Sequence, residues 1–228
     1  MSQAYLQSIQ VGRPETYGSE SATESHDKLW TSGFFKKNVE GPVWVGKTNL
    51  IGDGQADLKN HGGIDKAVLA YSADHYPHWR KKLEIPDFPH GAFGENLTIS
   101  GYSEQSMYIG DIFGIGQVVF EVSQPRQPCW KLARRWRMNE LVPMVIQTGW
   151  TGWYLRVLQE GYVEKAMRVI LLDRLNPDWP VARANQILHH HRKDLQQTLQ
   201  LAAVPKLADA WVRELRERAA RLAEVGVV

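Results

Sequence analysis

Cysteine, net charge and long apolar runs are all scarce in this chain. One Cys among 228 residues excludes an internal disulfide and leaves no ligand set for an iron–sulfur cluster. The formal net charge of +2 is too small to indicate a nucleic-acid partner by itself. No segment approaches the roughly 20 apolar residues of a membrane-spanning helix, and the N-terminus has no secretory signal pattern. These absences favour a cytoplasmic globular protein.

Glycine and proline divide most of the chain into short apolar runs. Hydrophobic residues make up 43% and charged residues 23% of the sequence, an ordinary balance for a folded core. Runs of β-branched and aromatic residues predict strands at 6–11, 41–45, 66–71, 117–122 and 166–172. Helical spacing of apolar residues predicts helices at 73–83 and 138–148. The pattern predicts a mainly β fold, a barrel or sandwich with helical insertions.

The sequence changes character at residues 176–180, which read Asn-Pro-Asp-Trp-Pro. Two prolines so close together rarely lie inside a helix or strand. Beyond them, apolar residues recur at helical spacing to the end of the chain. The three helices predicted there span 181–189, 193–203 and 206–223. We therefore expect a β-barrel domain over 1–175 and a small all-α domain over 176–228.

A glycine-rich segment with a histidine and a lysine indicates an anion site. Residues 61–66 read His-Gly-Gly-Ile-Asp-Lys. Paired glycines let the backbone pass close to a ligand and present N–H groups to an anion. His61 and Lys66 would help to neutralise a phosphate. The alternative is a simple Gly-Gly turn beside a solvent-exposed histidine.

Two further segments carry polar groups suited to a ligand. Residues 91–98 read Gly-Ala-Phe-Gly-Glu-Asn-Leu-Thr. We expect Glu95 to brace the turn and Asn96 to contact a ligand, because an amide offers both a donor and an acceptor. The segment Trp-Thr-Ser-Gly at 30–33, with the lysines that follow it, is a weaker candidate for an anion cradle.

The single cysteine lies in a proline-restricted loop. Residues 125–129 read Pro-Arg-Gln-Pro-Cys, and both prolines limit the conformations of their neighbours. Arg126 would favour the thiolate of Cys129 if its guanidinium lies close by, and the thiolate is the form that attacks electrophiles and binds metals. The alternative is an inert packed residue, since unpaired cysteines are often buried.

The order of these motifs resembles the MOSC family, the domains related to the C-terminal part of molybdenum cofactor sulfurase. Gly-Asp is followed by His-Gly-Gly, Gly-Glu-Asn-Leu, Ile-Gly-Asp and Pro-Arg-x-Pro-Cys. This likeness covers roughly 5–172. The helices that follow resemble the three-helix tail of the YiiM-type subgroup.

The resemblance implies a β-barrel that binds a molybdenum–pterin cofactor and reduces N-hydroxylated compounds, for example hydroxylated nucleobase analogues. It places Cys129 at the position of the metal-ligating, catalytic cysteine. The residues at positions that would face the pterin or its phosphate are His61, Gly62, Gly63, Asn96 and Arg126. Because one cysteine cannot hold an iron–sulfur cluster, electrons would come from a separate flavin or iron–sulfur protein. Whether the chain forms a homodimer is left open.

Other functions compete with this one. Cys129 as nucleophile and His61 as base would make a hydrolase or transferase, provided that the two side chains come within hydrogen-bond reach. A carrier that binds the cofactor or its sulfur only transiently is a third function. Nucleic-acid binding by the C-terminal helices is disfavoured, because acidic and basic residues interleave in the last helix as on a solvated face.

Overall fold

The computed structural model describes residues 3–224 and 226, so the outermost residues of both predicted domains lie outside it. The strands of this part of the chain are β1 Tyr5–Val11, β2 Glu15–Tyr17, β3 Trp30–Ser32, β4 Lys37–Val39, β5 Val43–Val45, β6 Val68–Ser72, β7 Leu97–Ser100, β8 Ile112–Ile115, β9 Val118–Pro125, β10 Trp153–Gln159, β11 Gly161–Val163 and β12 Val169–Asp173. The helices are α1 Leu58–His61, α2 Tyr76–Leu83, α3 Trp130–Trp136, α4 Leu141–Thr148, α5 Val181–His189, α6 Leu195–Ala202 and α7 Asp209–Glu224.

Eight of these strands form one mixed sheet in the order β12-β8-β9-β10-β6-β7-β1-β4. The sheet is not a closed barrel, so the barrel prediction is not confirmed. Backbone hydrogen bonds do join β1 to the chain ahead of β12, from Leu6 N to Met167 O at 2.9 Å and from Ala166 N to Leu6 O at 2.8 Å. Ala166 has φ of 69°, which interrupts the extended backbone that a continuous ladder needs.

One row of residues crosses four neighbouring strands and faces the same side of the sheet. Tyr154 on β10 is paired with Leu69 on β6 and with Gln124 on β9. Asn96, just before β7, donates its backbone N–H to Leu69 O at 2.8 Å. Residues directly opposite one another on neighbouring strands point to the same face. This row is the floor of the cavities described below.

The C-terminal helices confirm the predicted pattern most closely. Helix α5 has the predicted bounds, while α6 and α7 each begin two or three residues later than expected. Pro180 caps α5 in an extended conformation with φ of −61°, as suits a residue before a first helical turn. Helix α3, directly after the cysteine loop, was not predicted.

The helical segment and the sheet share one hydrophobic core. Fully or almost fully buried side chains of α5 to α7, such as Ile187, Leu201 and Trp211, belong to the same cluster as Phe120 and Leu155 of the sheet. Backbone bonds tie the two parts together, including Ala208 N to Ser123 O at 3.0 Å. The helices therefore pack on the sheet and do not form a core of their own.

A second, largely aromatic cluster lies beneath the cysteine loop. Tyr71 and Phe93 stack with ring centroids 4.3 Å apart, and the indole N–H of Trp79 donates to the Tyr71 hydroxyl at 2.7 Å. Leu132 of α3 is fully buried in the same cluster. This packing fixes the helix that follows Cys129. Within the described residues, no helix combines the length and apolarity needed to cross a bilayer.

Candidate functional site

The cysteine loop connects the end of β9 to the start of α3. Arg126 N donates to Gly152 O at 3.0 Å, which holds the loop against the start of β10. Cys129 is extended, with φ of −123° and ψ of 167°, and its carbonyl accepts from Leu132 N at 3.1 Å. The thiol is half-buried rather than packed in a core. A soft, accessible sulfur therefore stands at a rigid point of the fold.

Cys129 lies between two adjoining cavities. A narrow slot of about 70 Å³ extends toward Phe34, Phe93 and Asn96. A wider chamber of about 520 Å³ extends toward Trp30, Gln124 and Trp130, within the size range of ligand sites. Both cavities are lined by His61, Lys66, Cys129, Lys131 and Tyr154. The structure thus brings His61, Lys66 and Cys129 together, as the sequence predicts, and Asn96 and Arg126 line the slot beside them.

Arg126 leaves part of its guanidinium without a protein partner. The side chain is only 3% exposed. Its Nη2 donates to Phe93 O at 3.2 Å, but its buried Nη1 has no hydrogen-bond partner among the described residues. A buried donor without an acceptor is costly unless a ligand provides one. Arg126 lines the slot, so an anionic ligand there would satisfy it.

The cavities are rich in cations. Lys36, Lys66, Arg126 and Lys131 line them, and Asp57 is the acidic residue among the described lining residues. Burial lowers the pKa of Lys66, while Asp65, Asp57 and Glu214 act in the opposite direction. Lys36 is already paired with Asp53 in the interior. Arg126 and Lys131 therefore provide positive charge for an anion near Cys129.

His61 and Tyr154 are neutral near neutral pH. Burial lowers the pKa of His61 to about 4, and nearby Lys131, Lys66 and Arg126 lower it further, although Asp57 raises it. Burial raises the pKa of Tyr154 to about 12, with Arg126 acting against this shift and Cys129 adding to it. Among the described side chains, no hydrogen bond joins the His61 ring to the Cys129 thiol.

Asn96 lines the slot, but its side-chain amide forms its hydrogen bonds within the protein. Its Oδ1 accepts from Leu69 N at 3.1 Å, and its Nδ2 donates to Gln10 O at 3.2 Å and to Asp53 Oδ2 at 2.9 Å. Asp53 also accepts from Gly12 N at 2.9 Å and holds Lys36. These bonds fix one wall of the slot. The predicted ligand contact of Asn96 stays a prediction.

Gly62 and Gly63 shape the turn between His61 and Lys66. A Cβ on Gly62 would lie 3.0 Å from Leu58 O, and Gly63 has φ of 93°, which disfavours other residues. Neither glycine is among the described residues that line the slot or the chamber. In this structure the two glycines form the turn that connects His61 to Lys66. Their predicted contact with a phosphate stays a prediction.

From the sequence alone, the glycines and aromatics of 148–156, Tyr154 among them, suit either a flat pocket or a packed rim. Sequence reasoning missed Lys131, Gln124 and the exposed Trp130 as parts of the site. Tyr154 and Gln124 enter through strand register, which a sequence alone does not give. Lys131 and Trp130 follow Cys129 directly, so their proximity to the thiol was a usable signal.

Comparison with known proteins agrees with the motif order. The model of the MOSC domain matches residues 57–169, and that of the YiiM-like, 3-alpha helix domain matches residues 179–221. The protein YflK of Bacillus subtilis is 40% identical over 96% of this chain and 96% of its own length. This chain belongs to the MOSC domain family. It carries the YiiM-like three-helix domain as well.

Two other similarities bear on this MOSC protein. The crystal structure of YiiM from Geobacillus stearothermophilus has a TM-score of 0.79 and 35% identity, covering 95% of this chain and 99% of that one. A Gibberella moniliformis protein named reductase is 36% identical over 82% of this chain. The matched part spans only 34% of that fungal protein, so its name describes a much longer chain.

Proposed function

We propose that this MOSC protein binds a molybdenum–pterin cofactor and uses it to reduce N-hydroxylated compounds. The observation that carries the proposal is the placement of a lone, half-buried thiol in the same cavity as a buried guanidinium nitrogen without a partner. A thiol is a soft metal ligand, and the unpartnered Nη1 of Arg126 calls for an acceptor, which an anion provides most strongly. A metal held on an anionic pterin meets both requirements. The fungal relative named reductase supports the same class of reaction.

The donor set fits such a group. Cys129 would ligate the metal, and it lies beside the cations that line both cavities. Arg126 Nη1 would donate to the phosphate or to a pterin acceptor and so lose its unsatisfied state. Lys66 and Lys131 would neutralise the remaining negative charge. When bound, the cofactor supplies two-electron oxygen transfer at the metal.

The chain's own residues would position the reactants. In the overall reaction the N–O bond breaks, and two electrons and two protons convert the N–OH group to N–H and water. The electrons come from a separate flavin or iron–sulfur protein, since this chain has a single cysteine. Tyr154 is protonated at neutral pH and stands beside Cys129, so its hydroxyl can donate a hydrogen bond to the substrate oxygen.

The hydrolase alternative has less support. A cysteine nucleophile needs a base within hydrogen-bond reach, and the described side chains include no such bond between Cys129 and His61. A histidine with a pKa of about 4 is also a weak base at neutral pH.

Direct reduction of a simple substrate tests the proposal. The protein is expressed in a host that makes the cofactor, and acetamidoxime is supplied with reduced methyl viologen as electron donor. We expect formation of acetamidine at a rate proportional to the molybdenum content of the preparation. Molybdenum-loaded protein that forms no amidine, or a Cys129→Ser variant that forms it at the wild-type rate, would contradict the proposal.

A further inference from the structure

A pair of indoles forms one wall of the chamber beside Cys129. Trp30 of β3 and Trp130, the residue after Cys129, lie with ring centroids 5.4 Å apart, and both line the chamber. Trp30 is buried, whereas Trp130 is 54% exposed. A large exposed aromatic next to a candidate reaction centre is typical of a ligand contact.

This wall is held in place before any ligand arrives. The guanidinium of Arg134 lies 5.1 Å from the ring centroid of Trp30 and 5.4 Å from that of Trp130. Arg134 Nε donates to His26 O at 3.1 Å, and its Nη2 donates to Lys28 O. The cation therefore fixes both rings and is itself fixed by the loop before β3. A ligand that stacks on Trp130 would not have to order it, which favours binding.

The chamber also contains a buried acceptor without a partner. Gln124 lines the chamber and is 1% exposed. Its Nε2 donates to Pro125 O at 3.3 Å, but its Oε1 has no partner in the described part of the chain. An unsatisfied buried oxygen calls for an N–H or O–H donor from a ligand. The chamber thus offers a flat aromatic wall and a separate acceptor.

We infer that Trp130 is a specificity-determining residue, which selects substrates whose N-hydroxylated group is conjugated to a planar aromatic ring over aliphatic substrates of the same kind. The inference rests on the proposed function and deepens it. The ring of the substrate stacks on Trp130, and an N–H at its edge donates to Gln124 Oε1. The reacting N–OH then lies on the side of the chamber that Cys129 lines.

A matched pair of substrates tests this inference. Benzamidoxime and acetamidoxime share the same reacting group and differ in the aromatic ring. Equilibrium dialysis without an electron donor measures the binding of each to the loaded protein, so that no turnover is needed. The variants are Trp130→Ala, which removes the ring, and Trp130→Phe, which retains one. Trp44→Ala is the control. Trp44 packs against Tyr162 with ring centroids 5.1 Å apart, and it is not among the described lining residues of the chamber.

We expect the wild type and Trp44→Ala to bind benzamidoxime about tenfold more tightly than acetamidoxime, the size of one stacking contact. Trp130→Ala should lose most of this preference, and Trp130→Phe should keep most of it. With reduced methyl viologen added, the ratio of kcat/KM for the two substrates should change in parallel, mainly through KM for benzamidoxime.

Equal affinities in the wild type, or an unchanged preference in Trp130→Ala, would overturn the inference. Its failure is separable from that of the proposed function. Preferential binding of benzamidoxime without reduction of either amidoxime would contradict the reductase proposal and support the role of Trp130. Reduction of both amidoximes at equal efficiency would support the reductase proposal and contradict the role of Trp130.

Discussion

Two neighbouring motifs of this protein treat their polar groups in opposite ways. In the turn at 91–98, the Glu95 carboxylate accepts from Gly91 N at 2.6 Å and Phe93 N at 3.1 Å, and from the hydroxyls of Tyr76 and Thr98. In the loop at 125–129, Arg126 leaves Nη1 without a partner among the described residues and Cys129 stays half-exposed. The two segments touch where Arg126 donates to Phe93 O.

The difference separates a motif whose polar groups are used up in building the site from one whose polar groups can still accept a ligand. A saturated carboxylate holds its turn and has no capacity left for a ligand, whereas an unsatisfied guanidinium and an open thiol do. Asp111, in another motif of the family, is saturated in the same way, since it accepts from Arg174 at 2.8 Å and from Tyr108 N at 3.0 Å. Motif order therefore identifies the family, and hydrogen-bond saturation shows which motif residues have capacity left for a ligand.

The largest effect is expected at the thiol. Cys129→Ser should lower reductase activity to below about 1% of the wild type, because it replaces the proposed metal ligand itself, and loss of outer partners alone costs about 10- to 100-fold. The melting temperature should stay close to that of the wild type, since the side chain is half-exposed. Amidoxime reduction and a thermal melt on the same preparation check this. A variant that unfolds would show that Cys129 is a structural residue, like Glu95.

The next effect concerns the saturated turn and should appear in stability. Glu95→Gln should lower the free energy of unfolding by about 3 kcal/mol or more, because the amide NH2 that replaces one carboxylate oxygen can only donate and would face a buried backbone N–H, that of Gly91 or of Phe93. Urea denaturation measures the change. Glu164→Gln, at an exposed position, is the matched control and should stay within about 0.5 kcal/mol of the wild type. A Glu95→Gln variant as stable as the wild type would contradict the structural role of the Glu95 carboxylate.

At Arg126 we expect a large effect on ligand retention and a small effect on stability. Arg126→Met should reduce the amount of pterin retained after dialysis by about 10- to 100-fold, as expected for a lost charge-assisted contact. Stability should change by no more than about 1 kcal/mol, because the variant removes an unsatisfied buried donor together with the bond to Phe93. Pterin fluorescence and urea denaturation report the two quantities. Full retention of pterin with a large loss of stability would make Arg126 a structural residue.

The smallest effect tests an unsatisfied atom outside the site. His189 Nε2 is buried without a partner in the described chain, and burial, followed by His190, Arg192 and Arg218, lowers the His189 pKa to about 4. Between pH 6.5 and about 4 the unfolded chain binds a proton that the folded chain does not, so stability falls as the pH falls through this window.

His189→Leu should remove up to about 2 kcal/mol of that loss and leave the pH dependence of stability unchanged above about pH 7.5, where the histidine is neutral in both states. Urea denaturation at pH 7.5 and pH 4.5 measures the difference. Molybdenum and pterin contents equal to those of the wild type would show that an unsatisfied atom outside the cavities does not contribute to cofactor binding. An unchanged pH dependence would contradict the assigned pKa.

The sequence predicted the local parts of this molecule better than their arrangement. Helix α5 was predicted with its bounds because Pro180 and apolar spacing both act within one helix. His61, Lys66, Arg126 and Cys129 were predicted as site residues because each belongs to a motif. The open sheet could not be read from the sequence, since closure depends on which strands meet.

Gln124 of the cavity floor was missed for the same reason, and Tyr154 was not distinguished from a residue of a packed rim. Tyr154 and Gln124 reach the cavities through their register with neighbouring strands, and no motif marks either of them. Asn96 and Glu95 are adjacent and both polar, so the sequence offered little ground for assigning one to bracing and the other to a ligand. Both side chains are in fact bonded within the protein. Hydrogen-bond saturation is a property of the folded chain.

The most direct test of the account is the molybdenum and pterin content of protein expressed in a host that makes the cofactor. We expect molybdenum and pterin in equal amounts, one of each per chain, in the wild type and in Glu164→Gln, and neither in Cys129→Ser. Wild-type protein without metal or pterin from such a host, or a Cys129→Ser variant that retains both in full, would contradict the claim that this cavity holds a molybdenum–pterin cofactor through its single cysteine.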